Sequence, residues 1–169
     1  NYLSHNYNPF FIEGMKSFGH EVFNEFNADI TDIIIPVGNG SLLIGAVKAY
    51  EELIKLKKIS KMPKMHCIQV EGFSPIVKKF NSSEWKFNEF SKTLAGGIAV
   101  SNPPRLNQVI ESIRNSNGKA IEVSEANILN WHKELASWGF LSEITCAAAL
   151  AGTKKLIDSG VINEKSNIV

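Results

Sequence analysis

A chain of 169 residues can bury one sizeable core, and it suits one compact domain or a large piece of one. Its 18 basic and 17 acidic residues almost cancel, which leaves no electrostatic footprint for nucleic acid or an anionic membrane surface. The longest apolar runs, such as Ile33-Ile34-Ile35, are far too short to span a bilayer.

The chain opens with Asn1 and no signal-peptide pattern follows, so a piece of a longer protein is the expectation. The first thirty residues hold aromatic side chains and a helix-like stretch around Gly14 to Phe26. Ile30 to Val37 is a short isoleucine-rich run between Asp29 and Gly38, which predicts a buried strand. From Leu42 to Leu56, Leu43, Ala46, Val47, Tyr50, Leu53 and Ile54 fall on one helical face. The lysines from Lys55 to Lys64 follow Glu51 and Glu52 and suit a solvated helix end. Met65 to Val70 predicts a second strand. Ser74 to Ala95 is irregular, with Trp85, Phe87 and Phe90 among polar residues, and is expected to cover a site or meet a partner chain.

Asn102-Pro103 is a helix-start signal, with Leu106, Val109, Ile110 and Ile113 behind it on one face and Gly118 placed to end the helix. Ala120 to Val123 predicts a third strand. Ser124 can cap a helix running to about Trp138 and stopping at Gly139. Thr145 to Asp158 predicts a small-residue helix that ends at Gly160, and Asn167 to Val169 looks like a strand just begun. Strands alternating with helices imply an α/β fold, three layers α/β/α around a mainly parallel sheet. Cys67 and Cys146 stand in runs that read as buried, so a disulfide framework is not expected and a reducing cytoplasm fits.

The most informative stretch is Ile34-Ile35-Pro36-Val37-Gly38-Asn39-Gly40-Ser41-Leu42-Leu43, a strand running through a glycine turn straight into a helix. Unpaired N–H groups at the positive end of that helix, with Asn39 and Ser41 as side-chain donors, make a seat for a phosphate. A tight turn that holds only water is the other reading. A dinucleotide fingerprint needs a third glycine where Leu43 stands, and Glu71 comes too late for its ribose-binding acid. No Gly-Lys-Ser/Thr follows, which excludes a nucleotide-kinase loop.

Pro36 to Leu43 resembles the phosphate loop of fold-type II pyridoxal-phosphate (PLP) enzymes, closest to the threonine synthases. Three further segments resemble that family in its order: Asn8-Pro9-Phe10-Phe11-Ile12-Glu13-Gly14-Met15-Lys16-Ser17, Ala95-Gly96-Gly97-Ile98-Ala99 with Pro104-Arg105, and Glu143-Ile144-Thr145-Cys146-Ala147-Ala148-Ala149. Ile144 and Cys146 depart from the pattern. The resemblance implies a segment over residues 1–28 leaving a smaller domain, and a PLP-binding large domain over 29–169, incomplete at its C-terminus. It implies that Gly38, Asn39, Gly40, Ser41 and the Leu42 amide cradle the cofactor phosphate, and that Gly97 and Glu143 lie by the ring. Asn6 and Asn8 would approach an amino-acid substrate. It also implies a missing N-terminal domain and a homo-oligomer.

No catalytic residue is assigned within the chain. The Schiff-base lysine of the family belongs to a Ser-x-Lys segment that precedes everything here. Lys16 matches a family position but is not that lysine, and Ser91-Lys92 lacks the right surroundings. The isolated chain is therefore expected to be inactive. Threonine synthases often carry a phosphate-binding arginine where this chain has Phe11, and an apolar ring cannot replace a guanidinium. A related lyase, such as a threonine or serine dehydratase, and a non-catalytic remnant that binds a phosphate group are the alternatives.

The other candidates are weaker. His5, His20, His66 and His132 show no His-x-x-x-His spacing and no Cys-x-x-Cys accompanies them, so no metal site is expected. His66 and Cys67 should point to opposite faces of a strand. Cys146 near a helix start has either a lowered pKa or a plain buried role. Trp131 and Trp138 on one helix suit a core or an interface better than a stacking platform, and the adjacent Ser4-His5 pair says nothing of a hydrolytic triad.

Overall fold

In a computed structural model the chain is described over residues 5–169, so Ser4 of the Ser4-His5 pair lies outside the described residues. Three parallel strands, β1 (Asp32–Pro36), β2 (Lys64–Val70) and β3 (Ala120–Val123), lie side by side in that order. Ile168 pairs in parallel with Asp32 on the free edge of β1, through Val169 N–H to the Asp32 carbonyl (3.0 Å) and Ile34 N–H to the Val169 carbonyl (2.8 Å). The chain thus steps from β1 to β2 to β3 in one direction and then returns to the other side of β1. That reversal makes the carboxyl end of β1 a topological switch point, where α/β folds place ligands.

The strand side chains alternate between two apolar layers, because successive residues of a strand face opposite ways. Ile33, Ile35, Met65 and Cys67 pack with helices α1 (Pro9–Phe26), α2 (Ser41–Lys55), α3 (Pro75–Phe80) and α4 (Leu106–Asn115). Ile34, Ile68, Val70 and Val123 pack with α5 (Glu125–Ser137) and α6 (Ile144–Asp158). The expected three-layer α/β/α architecture is therefore present, and each fully buried isoleucine contributes about 2 kcal/mol of hydrophobic stabilisation. Among the described residues no helix is long and apolar enough to cross a membrane.

Several local expectations need correction. The first helix begins at Pro9, with Asn8 as its cap (Phe10 N–H to Asn8 Oδ1, 2.9 Å). The Asn-Pro start signal was therefore present at Asn8-Pro9, five residues ahead of the stretch read as helical. The same signal at Asn102-Pro103 starts nothing by itself, since α4 opens at Leu106. That helix ends with Asn117 in the left-handed region (φ 57°). Gly118 serves a close approach instead, because a Cβ there would come within 1.8 Å of the Met65 carbonyl oxygen. Part of the stretch from Ser74 to Ala95 is helical. Gln69, buried in β2, accepts from the Ile76 and Val77 amides (2.9 and 3.2 Å) and seeds the short α3, which six residues of sequence pattern could not announce. Cys146 is exposed rather than buried, on the outer side of the first turn of α6, and like Cys67 it is a free thiol.

The start of β1 carries a buried polar pair. His66 Nε2 and Asp32 Oδ1 lie 2.8 Å apart with both side chains fully buried, on the face opposite Cys67. The Lys119 amide donates to His66 Nδ1 (3.1 Å), so that nitrogen is bare and Nε2 carries the proton given to Asp32. Burial, the largest influence, pushes the His66 pKa down, and the Asp32 carboxylate only partly offsets it. Burial pushes Asp32 up, but hydrogen bonds from Thr31 and His66, with the Lys64 charge, outweigh it and hold the carboxyl below its ordinary range. Both groups bind protons more readily in the unfolded chain, so stability is full above about pH 6.5 and is lost as pH falls below it. Urea midpoints measured from pH 8 to pH 4 should fall below that point. His66→Ala should cost about 3 kcal/mol at neutral pH by stranding the Asp32 charge, and should flatten the step near pH 6. A midpoint constant from pH 7 to pH 5 in the parent chain would contradict this account.

Candidate functional site

β1 delivers the chain into a turn that needs glycine at two positions. Gly40 stands at φ 86°, left-handed backbone that side chains disfavour, and α2 begins at the next residue. Gly38 is required by a close approach, since a Cβ there would lie 2.8 Å from the Gly97 carbonyl oxygen. None of the amides of residues 38–43 finds an acceptor among the described residues; the first helical hydrogen bond is from Ile44 to the Gly40 carbonyl (3.0 Å). Six backbone donors thus gather at the positive end of α2, with the Asn39 and Ser41 side chains beside them. Unpaired amides at such a place form a concavity for an anion.

This turn lines a cleft of about 240 Å³, together with His5, Phe11 and Met15. A larger cavity of about 750 Å³ sits by Ile157, Ile162 and Ile168. Asn163, Glu164 and Lys165 also line it, but it adjoins the start of β1, the wrong end of the strand for an α/β ligand site.

The other expected site residues divide into those the fold brings to the turn and those it holds beside it. Gly97 touches Gly38, and a Cβ on Gly97 would meet Thr145 Oγ1 at 3.1 Å. Glu143 is the cap of α6 and accepts from the Thr145 amide and hydroxyl (3.0 and 2.9 Å). Gly38, Gly97, Thr145 and Glu143 therefore form one continuous run of contacts. Asn6 is anchored through its carbonyl, which accepts from Arg105 Nε (2.9 Å), while its Oδ1 is buried with no partner among the described residues. Asn8 spends its oxygen on capping α1 and has only its amide nitrogen to offer. Sequence reasoning passed over Thr145 and His5. Thr145 was legible from its place two residues after Glu143 in the same motif; His5 was weighed as a metal ligand and in a Ser-His pair, and among the described residues no metal-binding cluster forms.

Lys16 is held far from the role of a reactive amine. It pairs with Glu13 (2.8 Å) and Glu52 (2.6 Å), whose hydrogen bonds raise its pKa. Glu13, which also bonds Lys48, is lowered to about 2 by the same lysines. A nucleophilic lysine needs the opposite shift. This cluster ties α1 to α2.

The family profile described as "Pyridoxal-phosphate dependent enzyme" matches residues 1–169. The chain belongs to that family. It is 35% identical over 172 residues to a threonine synthase of Methanosarcina acetivorans, covering 99% of this chain and 42% of that protein. It is 31% identical over 168 residues to a threonine synthase of Halalkalibacterium halodurans, covering 99% of this chain and 46% of that protein. The chain thus spans under half the length of these relatives. Among solved structures it superposes on a threonine deaminase of Solanum lycopersicum (TM-score 0.75, 21% identity, 96% of this chain and 42% of that one). It also superposes on an L-serine ammonia-lyase from Rhizomucor miehei (TM-score 0.77, 18% identity, 96% and 51%). At those identities the likeness is one of fold.

The cofactor that names the family fits the turn on physical grounds. Its phosphate is a dianion, the six amides are donors with no acceptor among the described residues, and glycine at 38 and 40 permits the tight turn that carries them. One detail of the turn differs from simple expectation. A Cβ at Gly40 would strike Val109 of α4 at 2.2 Å rather than enter the cleft, so a side chain there breaks the turn instead of blocking the anion. Inorganic phosphate titrated into the ¹⁵N-labelled chain should shift the amides of residues 38–43 most, with millimolar-range affinity or weaker. Gly40→Val should weaken binding at least about tenfold by unseating the turn. Largest shifts elsewhere, or unchanged binding by the valine variant, would refute this assignment.

Proposed function

We propose that this chain is the phosphate-holding part of a PLP-dependent threonine synthase, an enzyme that converts O-phosphohomoserine to threonine and phosphate. The observation that carries the reading is the turn from Gly38 to Leu43, with its unpaired amides at the positive end of α2. The relatives named threonine synthase support the choice of that enzyme. The cofactor supplies an electron sink for carbanion chemistry. In this reading the amides of Gly38 to Leu42, with Asn39 and Ser41, bind its phosphate. Gly97 keeps the ring edge open, and Glu143 with Thr145 orders the neighbouring start of α6. Asn6 and Asn8 face the amino-acid substrate. Residues 1–28 lead out of a smaller domain and residues 29–169 belong to the large one. The lysine that takes the cofactor covalently comes from the N-terminal part of the protein, outside this sequence. We further propose a homo-oligomer working in the cytoplasm, where the free thiols Cys67 and Cys146 suit a reducing compartment.

A second reading rests on Phe11. It offers no guanidinium to a substrate phosphate, which favours an unphosphorylated amino acid and a deaminating lyase. The two readings separate in one assay. The complete gene product that contains this sequence, loaded with PLP, should release inorganic phosphate from O-phosphohomoserine and form threonine. Ammonia and a 2-oxo acid from threonine or serine, with no phosphate release, would overturn the first reading in favour of the second. The 169-residue chain alone should turn over neither substrate. Mixed with PLP and freed of excess, it should show no stable visible band near ~420 nm. A stoichiometric band that maps to one of its lysines would refute the assignment of the reactive lysine to another segment.

A further inference from the structure

We propose that His5 is a further anion-binding residue of the cleft, a side-chain donor that faces the amides of residues 38–43 across it. The inference rests on the reading of that turn as a phosphate seat, and it adds a residue that the sequence motifs do not contain. His5 lines the same cleft as Gly38 to Leu43, and it is the single titratable side chain among the described residues lining it. Backbone amides and the Asn39 and Ser41 side chains are neutral donors, and a helix terminus contributes only about half a charge. An imidazole adds an N–H donor, and in its protonated form a full positive charge.

Two contacts fix where His5 stands. The Phe11 ring, in the first turn of α1, lies against the imidazole with centroids 5.1 Å apart and planes tilted by 55°. On the other side, Arg105 Nε holds the carbonyl of Asn6, the next residue (2.9 Å), and its Nη1 donates to Gln108 Oε1 (3.1 Å). Arg105 stands at the start of α4, and Val109 of that same helix backs Gly40. One helix therefore supports both sides of the cleft, the turn through Val109 and the His5 segment through Arg105. The charges near this segment are otherwise engaged: Arg105 by Asn6 and Gln108, and Lys16, next to the cleft residue Met15, by Glu13 and Glu52.

The test compares the parent chain with His5→Ala, His5→Gln and Phe11→Leu. Inorganic phosphate is titrated at fixed pH and ionic strength, with backbone amide and histidine side-chain ¹⁵N resonances followed together. In the parent the His5 imidazole should shift in step with the amides of residues 38–43. His5→Ala should bind phosphate about tenfold more weakly, the loss expected for one charge-assisted hydrogen bond. His5→Gln should fall between, because its amide still donates, and Phe11→Leu should weaken binding by a smaller factor with the amide spectrum otherwise intact. His5 precedes the cap of α1 and lies outside both apolar layers, so these variants keep the core. If the turn amides shift and His5→Ala binds as the parent does, the role of His5 is overturned and the phosphate seat stands. If the turn amides do not shift in the parent, the seat itself fails and the inference falls with it.

Discussion

The approach of Gly38 to the Gly97 carbonyl is the contact on which the candidate site depends. At 2.8 Å from that oxygen there is no room for a Cβ, so the two backbone segments touch directly. Gly97 in turn leans on Thr145, and Thr145 is held by Glu143 at the head of α6. Three segments far apart in sequence are thereby fixed to one another at the carboxyl end of β1. Any side chain larger than hydrogen at Gly38 would push the turn away from Gly97 and loosen all three. The amides of residues 38–43, which find no acceptor among the described residues, belong to the turn that this contact holds in place.

The opposite end of β1 is secured by different physics. There the chain buries an ionisable pair, Asp32 and His66, and fixes the histidine tautomer with the Lys119 amide. A pair of this kind adds little net stability over apolar packing, yet it penalises any shift of register between β1 and β2, since either partner alone would be stranded. Asp32 is also where Ile168 joins the sheet. The strand that presents the site is thus pinned by a polar pair at its start and a glycine contact at its finish.

Much of this was legible in the sequence, and the reasons differ by element. β3 was bounded correctly and β2 to within a residue, because buried strands in a parallel sheet are short apolar runs with sharp edges. The turn at Gly38 was legible because glycine there has a backbone reason, and a backbone reason leaves a fixed residue type. Helix α3 was not legible. It forms because the Gln69 side chain, distant by several residues and buried in β2, accepts its first amides. The exposure of Cys146 was hidden for a similar reason. Its neighbours Ala147 and Ala148 are fully buried, and only the rotation of α6 against the sheet decides which of three adjacent small residues faces out. Contacts between His5 and Phe11, or between Val109 and Gly40, join side chains from separate elements, and no local pattern encodes them.

The two walls of the cleft are held with different firmness, and that difference has a physical consequence. The turn is built from backbone packed on both apolar layers, with Gly38 and Gly40 buried, and displacing it would expose core. Among the described residues, the facing segment of His5 to Asn8 is held by a ring contact, a hydrogen bond from Arg105 and the Asn8 cap. Such contacts contribute about 1 kcal/mol each, less than the burial that holds the turn. In the proposed reading the firmly packed turn is the part that holds the cofactor phosphate. In that reading the turn sets where the phosphate sits, and the rim residues, His5 and Phe11 among them, set what else can sit beside it.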